Sequence, residues 1–319
     1  MRICRDYKTI PEHLKGFVVA LGNFDGIHRG HQEVIKRTVE LAEVMGTKPA
    51  VVTFEPHPRE MFGKMGFLHK NIAPIRISSF RTRVRLMEEM GIDVVMALRF
   101  NKELFRMPPN EFISTVLNDS LKVKHIVVGE DFFFGKNRKG NVSLMEKEAT
   151  KHGFGFTQVR LEGTCCKNPY SSTTVRDALA QGDVEKARKV LGRNYHMEGK
   201  VYRGDSRGRT MGYRTANITI RGLCTPARGV YAVKIKVDGR EHLGVANVGF
   251  RPTFLGTELM LEVHIFDFNK DIYGKRASVS FIKRIRAEKK FKNSDALHDQ
   301  ISKDCREAKT ILQSRSIFV

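Results

Sequence analysis

Two histidines three residues apart, His28 and His31, close a glycine-punctuated stretch, GNFDGIHRGH, that begins at Gly22. An apolar run at 17–21 precedes it and reads as a buried strand, and Val34, Ile35, Val39 and Leu41 follow at helical spacing. A strand, a polar loop and a helix start make a phosphate-site context, because the first N–H groups of a helix are unpaired and its dipole is positive there. Gly22, Gly26 and Gly30 permit backbone conformations and close approaches that side chains would block, and Asn23, Phe24 and Asp25 complete the loop. On a helical start His28 and His31 share a face, so both imidazoles can point at one anion. The stretch lacks the Gly-Lys-Ser/Thr ending of a Walker loop and the Gly-x-Gly-x-x-Gly of a dinucleotide fingerprint. Taken alone, an H-x-x-H is explained as readily by two surface histidines.

A second set of polar residues lies late in the chain. Gly204, Gly208, Arg209 and Gly212 make a glycine-spaced basic loop, a weak phosphate signal that is more often an exposed connection. It leads into Thr215-Ala216-Asn217. On a strand Thr215 and Asn217 share a face, and their neutral oxygens suit Mg²⁺ held jointly with phosphates. Glu262, His264 and Phe266 alternate against Leu261, Val263 and Ile265. If the polar face lines the cleft beside Thr215 and Asn217, Glu262 can take a proton from a substrate hydroxyl; otherwise it merely faces water. Arg286, Glu288 and Phe291 follow the last strand and can close another wall.

Three further clusters lie between these sets. Phe54 ends a strand and Pro56, His57 and Pro58 form a stiff loop after it, where open α/β sheets bind ligands. Asp131, Phe132, Phe133 and Phe134 follow another strand; three consecutive phenylalanines cannot share one side, so at least one faces a loop or a pocket that suits an aromatic ring ligand. Ser171-Ser172-Thr173-Thr174-Val175-Arg176 leads into a helix expected over 177–181. One hydroxyl there would be a cap, whereas Ser172, Thr173 and Arg176 together read as a second phosphate corner.

The elements that must position these residues fall into two halves. Strands are expected at 17–21, 50–54, 93–100, 125–129 and 156–161, with helices after the histidine loop and over 78–90, 108–121 and 141–153. That rhythm predicts an α/β fold with a doubly wound parallel sheet. Beyond a boundary near 185–195 the chain becomes β-rich, with short segments at 197–202, 216–220, 230–237, 242–248, 260–266 and 277–281. These predict an antiparallel β-barrel, with a terminal helix over 294–313 whose Leu297, Ile301 and Ala308 pack on it. The expected domains are 1–185 and 186–319.

A length of 319 residues favours two cores, and five cysteines, Cys4, Cys165, Cys166, Cys224 and Cys305, with no C-x-x-C pair, read as reduced thiols. No apolar run approaches the ~20 residues that span a bilayer, so a cytoplasmic protein without membrane partners is expected. The net charge of +21 comes from basic residues spread along the chain, including runs at 76–85, 200–214 and 283–292. Such a field concentrates any polyanion, but no nucleic-acid-binding motif accompanies it, so small phosphorylated substrates are expected rather than nucleic acid.

The string GNFDGIHRGH resembles the G-x-F-D-x-x-H-x-G-H signature of the nucleotidyltransferase superfamily. With TFEPHPRE, VVGEDFFFGKNRKG, SSTTVR, GRTMGYRTANI, GVYAV, GVANVGFRPTF, LEVHIFDFNKDIYG and RAEKKF in order, nearly the whole chain resembles the bacterial bifunctional riboflavin kinase and FAD synthetase family. The resemblance implies an N-terminal FMN adenylyltransferase and a C-terminal riboflavin kinase, with ATP, riboflavin and FMN as substrates and Mg²⁺ as cofactor. It implies that His28 and His31 stabilise the triphosphate during attack, with Gly22, Asn23, Phe24, Asp25 and Gly30 around it and Ser172, Thr173 and Arg176 on the opposite side. It places Phe54, Pro56, His57, Pro58, Asp131, Phe132 and Phe134 at the flavin in the first half, and Arg286, Glu288 and Phe291 in the second. There Gly204, Gly208, Arg209 and Gly212 hold phosphate, Thr215 and Asn217 hold metal and ATP, and Glu262 is the base. The family usually has proline where this chain has Arg214, which implies a looser backbone before Thr215 or a new phosphate contact. The competing readings are a nucleotidyltransferase with another phosphorylated acceptor and a flavin-sensing nucleic-acid binder. A monomer or weak homo-oligomer is expected.

Overall fold

Short apolar runs separated by amphipathic segments can bury both faces only inside a layered sheet, and the first half does so. In the computed structural model, which describes residues 1–64, 76–160, 170–203, 213–220, 222–253 and 256–314, the chain divides into two compact units. The first comprises Met1–Arg76 and Phe80–Ser171, the second Ile77–Ser79 and Ser172–Val319.

The first unit runs β1 (Arg2–Cys4), β2 (Val18–Leu21), α1 (Arg29–Val44), β3 (Pro49–Glu55), α2 (Pro58–Lys64), α3 (Phe80–Glu89), β4 (Val94–Arg99) and α4 (Lys102–Arg106). There follow α5 (Pro109–Glu111), which continues as a π-helix over Phe112–Ser120, then β5 (His125–Gly129), α6 (Val142–His152) and β6 (Gly155–Val159). The strands form one parallel sheet in the order β1-β4-β3-β2-β5-β6. Along β2, Val19 and Leu21 enter one buried cluster while Val18 and Ala20 enter the other, so this central strand is covered on both faces. The sequence pattern did not reveal β1, whose three residues pair with β4 from Arg2 opposite Val94 to Cys4 opposite Met96.

The second unit begins with α7 (Ser172–Gln181) and α8 (Val184–Leu191). Then come β7 (His196–Tyr202), β8 (Thr215–Ile218), β9 (Gly229–Val237), β10 (Arg240–Thr253), β11 (Gly256–Ile265), β12 (Arg276–Ala287) and α9 (Ser294–Ser314). The six strands close an antiparallel barrel in the order β10-β11-β8-β7-β12-β9. Val230, Ala232, Val245, Phe266 and Ile282 form the patch on which Cys305, Ala308 and Leu312 of α9 pack. Both architectures match expectation. The helix expected from residue 177 starts earlier, at Ser172, because short hydroxyl side chains fit the first turn of a helix as well as its cap. Among the described residues no helix is long and apolar enough to cross a membrane.

Candidate active sites

In a parallel sheet all strand C-terminal ends share one edge, and ligands gather where the strand order reverses. Here β2, β3 and β5 are neighbours, with β3 and β5 flanking β2, so the loops after them leave the same edge. The loop after β2 is the histidine stretch. Phe24 and Ile27 adopt left-handed backbone conformations (φ 50° and 40°), rare for side-chain-bearing residues and rarer for a β-branched one. Both side chains are buried in the cluster beneath α1, which holds the loop in this shape.

His28 is the N-cap of α1, and its Nδ1 accepts the backbone N–H of His31 at 3.3 Å. A ring nitrogen used as acceptor leaves Nε2 to carry the proton of the neutral imidazole. The His28 and His31 rings stack with centroids 3.6 Å apart, and Phe24 meets His31 edge-on at 5.1 Å. His28 and Asp25 are buried, Gly30 is buried within the first turn, and Asn23 is exposed. The structure therefore brings both histidines together at a helix N-terminus, the geometry an anion requires.

After β3, Phe54 packs against Phe100 and Phe112 at the margin of the core, and the Glu55–Pro56 peptide is cis. His57 is buried, with its Nδ1 accepting the Arg59 N–H at 3.2 Å, and Pro58 starts α2. After β5, Phe134 is a core plug against Phe112, Phe132 stacks on it at 5.4 Å, and Phe133 is the one that faces solvent, under the Arg138 guanidinium. Asp131 is exposed.

In the second unit the register lines up polar residues that are far apart in sequence. Asn217 of β8 lies opposite Glu262 of β11, which lies opposite Asn247 of β10. This row is on the outer barrel face, the one that carries α9, since it shares parity with Val230, Val245 and Phe266. Asn217 is only 4% exposed, and its Oδ1 is buried with no hydrogen-bond donor among the described residues. An orphaned carboxamide oxygen is costly unless something binds it, and a hard cation is a suitable partner. Thr215, one pleat away on the same face, lies opposite His264. The two oxygens fit a metal shared with phosphate.

Arg214 is held at two points. Its carbonyl accepts from His264 Nδ1 at 2.9 Å and its Nη1 donates to Asn269 Oδ1 at 2.7 Å. Arg286 is turned onto α9: Nε and Nη2 hold the buried Asp304 carboxylate at 2.9 and 2.7 Å, and Phe291 lies under the guanidinium. Glu288 pairs with Arg228 at 3.5 Å and converges with Asn247 over Gly249, where a Cβ would sit 3.1 Å from Glu288 Oε1. Ser172, Thr173 and Arg176 lie in the first turns of α7. The loop residues Gly204, Gly208, Arg209 and Gly212 lie outside the described residues, as do Cys165 and Cys166.

Sequence reasoning missed Asn247, although it alternates with Ala246 and Val248 inside a quoted motif, the one available signal. It counted Arg76 and Arg83 only as members of the basic run at 76–85. Both are internal: Arg76 forms ion pairs with Glu55 and Glu60, and Arg83 with Glu55 at 2.8 Å. Burial works against the charge of Arg76, but the two carboxylates outweigh it and raise its pKa. Burial lowers that of Arg83 against the pull of Glu55 and Asp25.

The family model for FAD synthetase matches residues 10–174 and that for riboflavin kinase matches residues 191–312. The chain is 38% identical over 316 residues to the bifunctional riboflavin kinase/FMN adenylyltransferase of Haemophilus influenzae, covering 98% of this chain and 100% of that protein. It is 37% identical over 312 residues to the protein of the same name from Bacillus subtilis, covering 97% and 96%. A crystal structure from Streptococcus pneumoniae, described as a macrolide-efflux protein, superposes with a TM-score of 0.82 at 32% identity, over 95% of this chain and 96% of that one.

Proposed function

We propose that this chain, which belongs to the bifunctional riboflavin kinase/FMN adenylyltransferase family, carries out both reactions of that name in one polypeptide. The observation that carries the reading is that each family-matched half contains an assembled polar cluster: the stacked His28–His31 pair in one, the Asn217–Glu262–Asn247 row in the other.

In the kinase step the terminal ribityl hydroxyl of riboflavin attacks the γ-phosphorus of ATP; the new O–P bond forms as the bond to the β-phosphate oxygen breaks, giving FMN and ADP. Glu262 takes the hydroxyl proton. Thr215 and Asn217 would hold Mg²⁺, which when bound spreads the phosphate charge. In the second step a phosphate oxygen of FMN attacks the α-phosphorus of ATP, and pyrophosphate leaves. His28 Nε2–H, His31 and the α1 N–H groups stabilise the charge, with Gly22, Asn23, Phe24, Asp25 and Gly30 shaping the loop. Ser172, Thr173 and Arg176 are further phosphate ligands. Pro56, His57, Asp131 and Phe132 border the flavin in the adenylyltransferase half, residues 1–185. Glu288 and Phe291 border it in the kinase half, residues 186–319. A cytoplasmic monomer or weak homo-oligomer acting on small molecules, not nucleic acid, completes the reading.

The test is to incubate the purified chain with ATP and Mg²⁺ plus either riboflavin or FMN, and to resolve the flavins by chromatography. FAD from both mixtures, with FMN appearing in the first, is expected. FAD from FMN alone would remove the kinase assignment, and no FAD from either would overturn the reading.

A further inference from the structure

Arg83 belongs to neither polar cluster, yet it is among the most deeply buried side chains of the molecule, with 2% of its surface exposed. A buried guanidinium needs hydrogen-bond partners, and Arg83 has them at both terminal nitrogens, while its Nε has none among the described residues. Nη1 donates to the backbone carbonyl of Asn23 at 2.8 Å, and Nη2 to Glu55 Oε2 at 2.8 Å. Asn23 lies in the histidine loop after β2; Glu55 is the last residue of β3 and immediately precedes Pro56-His57-Pro58. A single planar fork thus spans the two loops that leave neighbouring strands at the ligand-binding edge. The Asn23 carbonyl takes a second bond, from Thr53 Oγ1 at 3.2 Å.

What the fork restrains is a strained backbone. Phe24 at φ 50° and Ile27 at φ 40° are strained, and such conformations persist only where the surroundings over-determine them. Asn23 is the residue just before the first of them. From the clamped Asn23 carbonyl the path runs through Phe24, whose ring abuts His31 at 5.1 Å, to the stacked His28.

The geometry points to Arg83 as a positioning residue for adenylyl transfer, which fixes the histidine loop relative to the Glu55–Pro58 loop and so sets the distance between the triphosphate and the incoming FMN phosphate. This rests on the adenylyltransferase reading above. Removing the guanidinium does not strand Glu55, because Arg76 holds that carboxylate independently at 2.9 Å through Nη1. An Arg83→Met chain is therefore expected to fold.

The experiment compares the full-length wild type, Arg83→Met and Arg83→Lys. With FMN and ATP, Arg83→Met is expected to lose about 100-fold in kcat, the scale of an ångström-sized misplacement, with KM for ATP changed less than about threefold. Arg83→Lys keeps the charge but loses the planar fork that bridges the two acceptors, so it should recover only part of that loss. Riboflavin phosphorylation in the same preparations should be unchanged, which reports that the second unit is folded, and an unchanged thermal unfolding transition reports the same of the first. The histidine ring NMR signals of His28 and His31 should shift in Arg83→Met and move part of the way back in Arg83→Lys. Full kcat in Arg83→Met, or a loss that only tracks the unfolded fraction and leaves the histidine signals in place, would overturn the proposal. If the wild type makes no FAD, the functional reading falls by itself, and the histidine signals alone decide whether the clamp exists.

Discussion

Asn217 and Glu262 stand directly opposite each other on β8 and β11, so a buried carboxamide and a carboxylate share one spot on the outer barrel face. Glu262→Gln keeps the shape and removes the proposed base. It should lower kcat for FMN formation by about 100-fold or more while FAD formation from added FMN continues. Chromatography of both mixtures measures the two rates side by side. Asn217→Ala removes the orphaned oxygen and should raise the Mg²⁺ concentration needed for half-maximal kinase rate.

His28 caps α1 and, in the proposed function, also stabilises the triphosphate. Asn is a good N-cap, so His28→Asn should abolish most FAD synthesis while leaving the melting curve near wild type. His28→Ala should lose the same activity and also about 1 kcal/mol of stability, read from denaturant titration.

The tether on Arg214 makes the departure from the family proline testable. Asn269→Ala frees the Arg214 side chain and should raise KM for MgATP in the kinase reaction. In an Arg214→Pro background the ring restrains φ by itself, so Asn269→Ala should then have no effect. Equal sensitivity in both backgrounds would show that the tether does not substitute for the ring.

Asp304 is 4% exposed at its side chain and holds Arg286 through both oxygens. Asp304→Ala strands a partly buried guanidinium and should cost about 3 kcal/mol or more in unfolding of the barrel. Circular dichroism in urea measures it, and a change below about 1 kcal/mol would mean that water replaces the carboxylate without penalty.

Tyr231 lies fully buried inside the barrel, donating its hydroxyl to the Ala227 carbonyl, and burial pushes its pKa up from 10 to about 12 against the opposing charge of Arg284. A raised pKa means that the folded state holds the proton more tightly. The stabilisation is complete below pH 10 and is lost as pH rises towards 12. Alkaline unfolding should thus be flatter in Tyr231→Phe, at the expense of about 1–2 kcal/mol at neutral pH for the unpaired carbonyl.

Long periodic segments made the architecture legible: each apolar run of the first half became a strand, and the short β-segments of the second half became a closed barrel. Residues that touch through local spacing were equally legible, and His28 and His31 are the clearest case. What stayed hidden depends on register and burial. Asn247 joins Glu262 only through the pairing of β10 with β11, a relation that no spacing encodes. Arg83 looks like one more cation in a basic helix until its partners, Asn23 and Glu55, are brought up from 60 and 28 residues away. The triple phenylalanine was half legible: alternation required that one ring leave the core, but not that it be Phe133.

The two sheets differ in how they end. A barrel that closes β9 on β10 and β12 offers no backbone row for another strand to join, whereas the open parallel sheet stops at β1 and β6. Unpaired edge strands are templates for aggregation, and length and charge are what blunt them. Here the edges are three and five residues long, and the shorter begins with Arg2 and is followed by Arg5. Among the described residues, strand addition to this sheet therefore has only two short edges to start from, the shorter of them flanked by arginines.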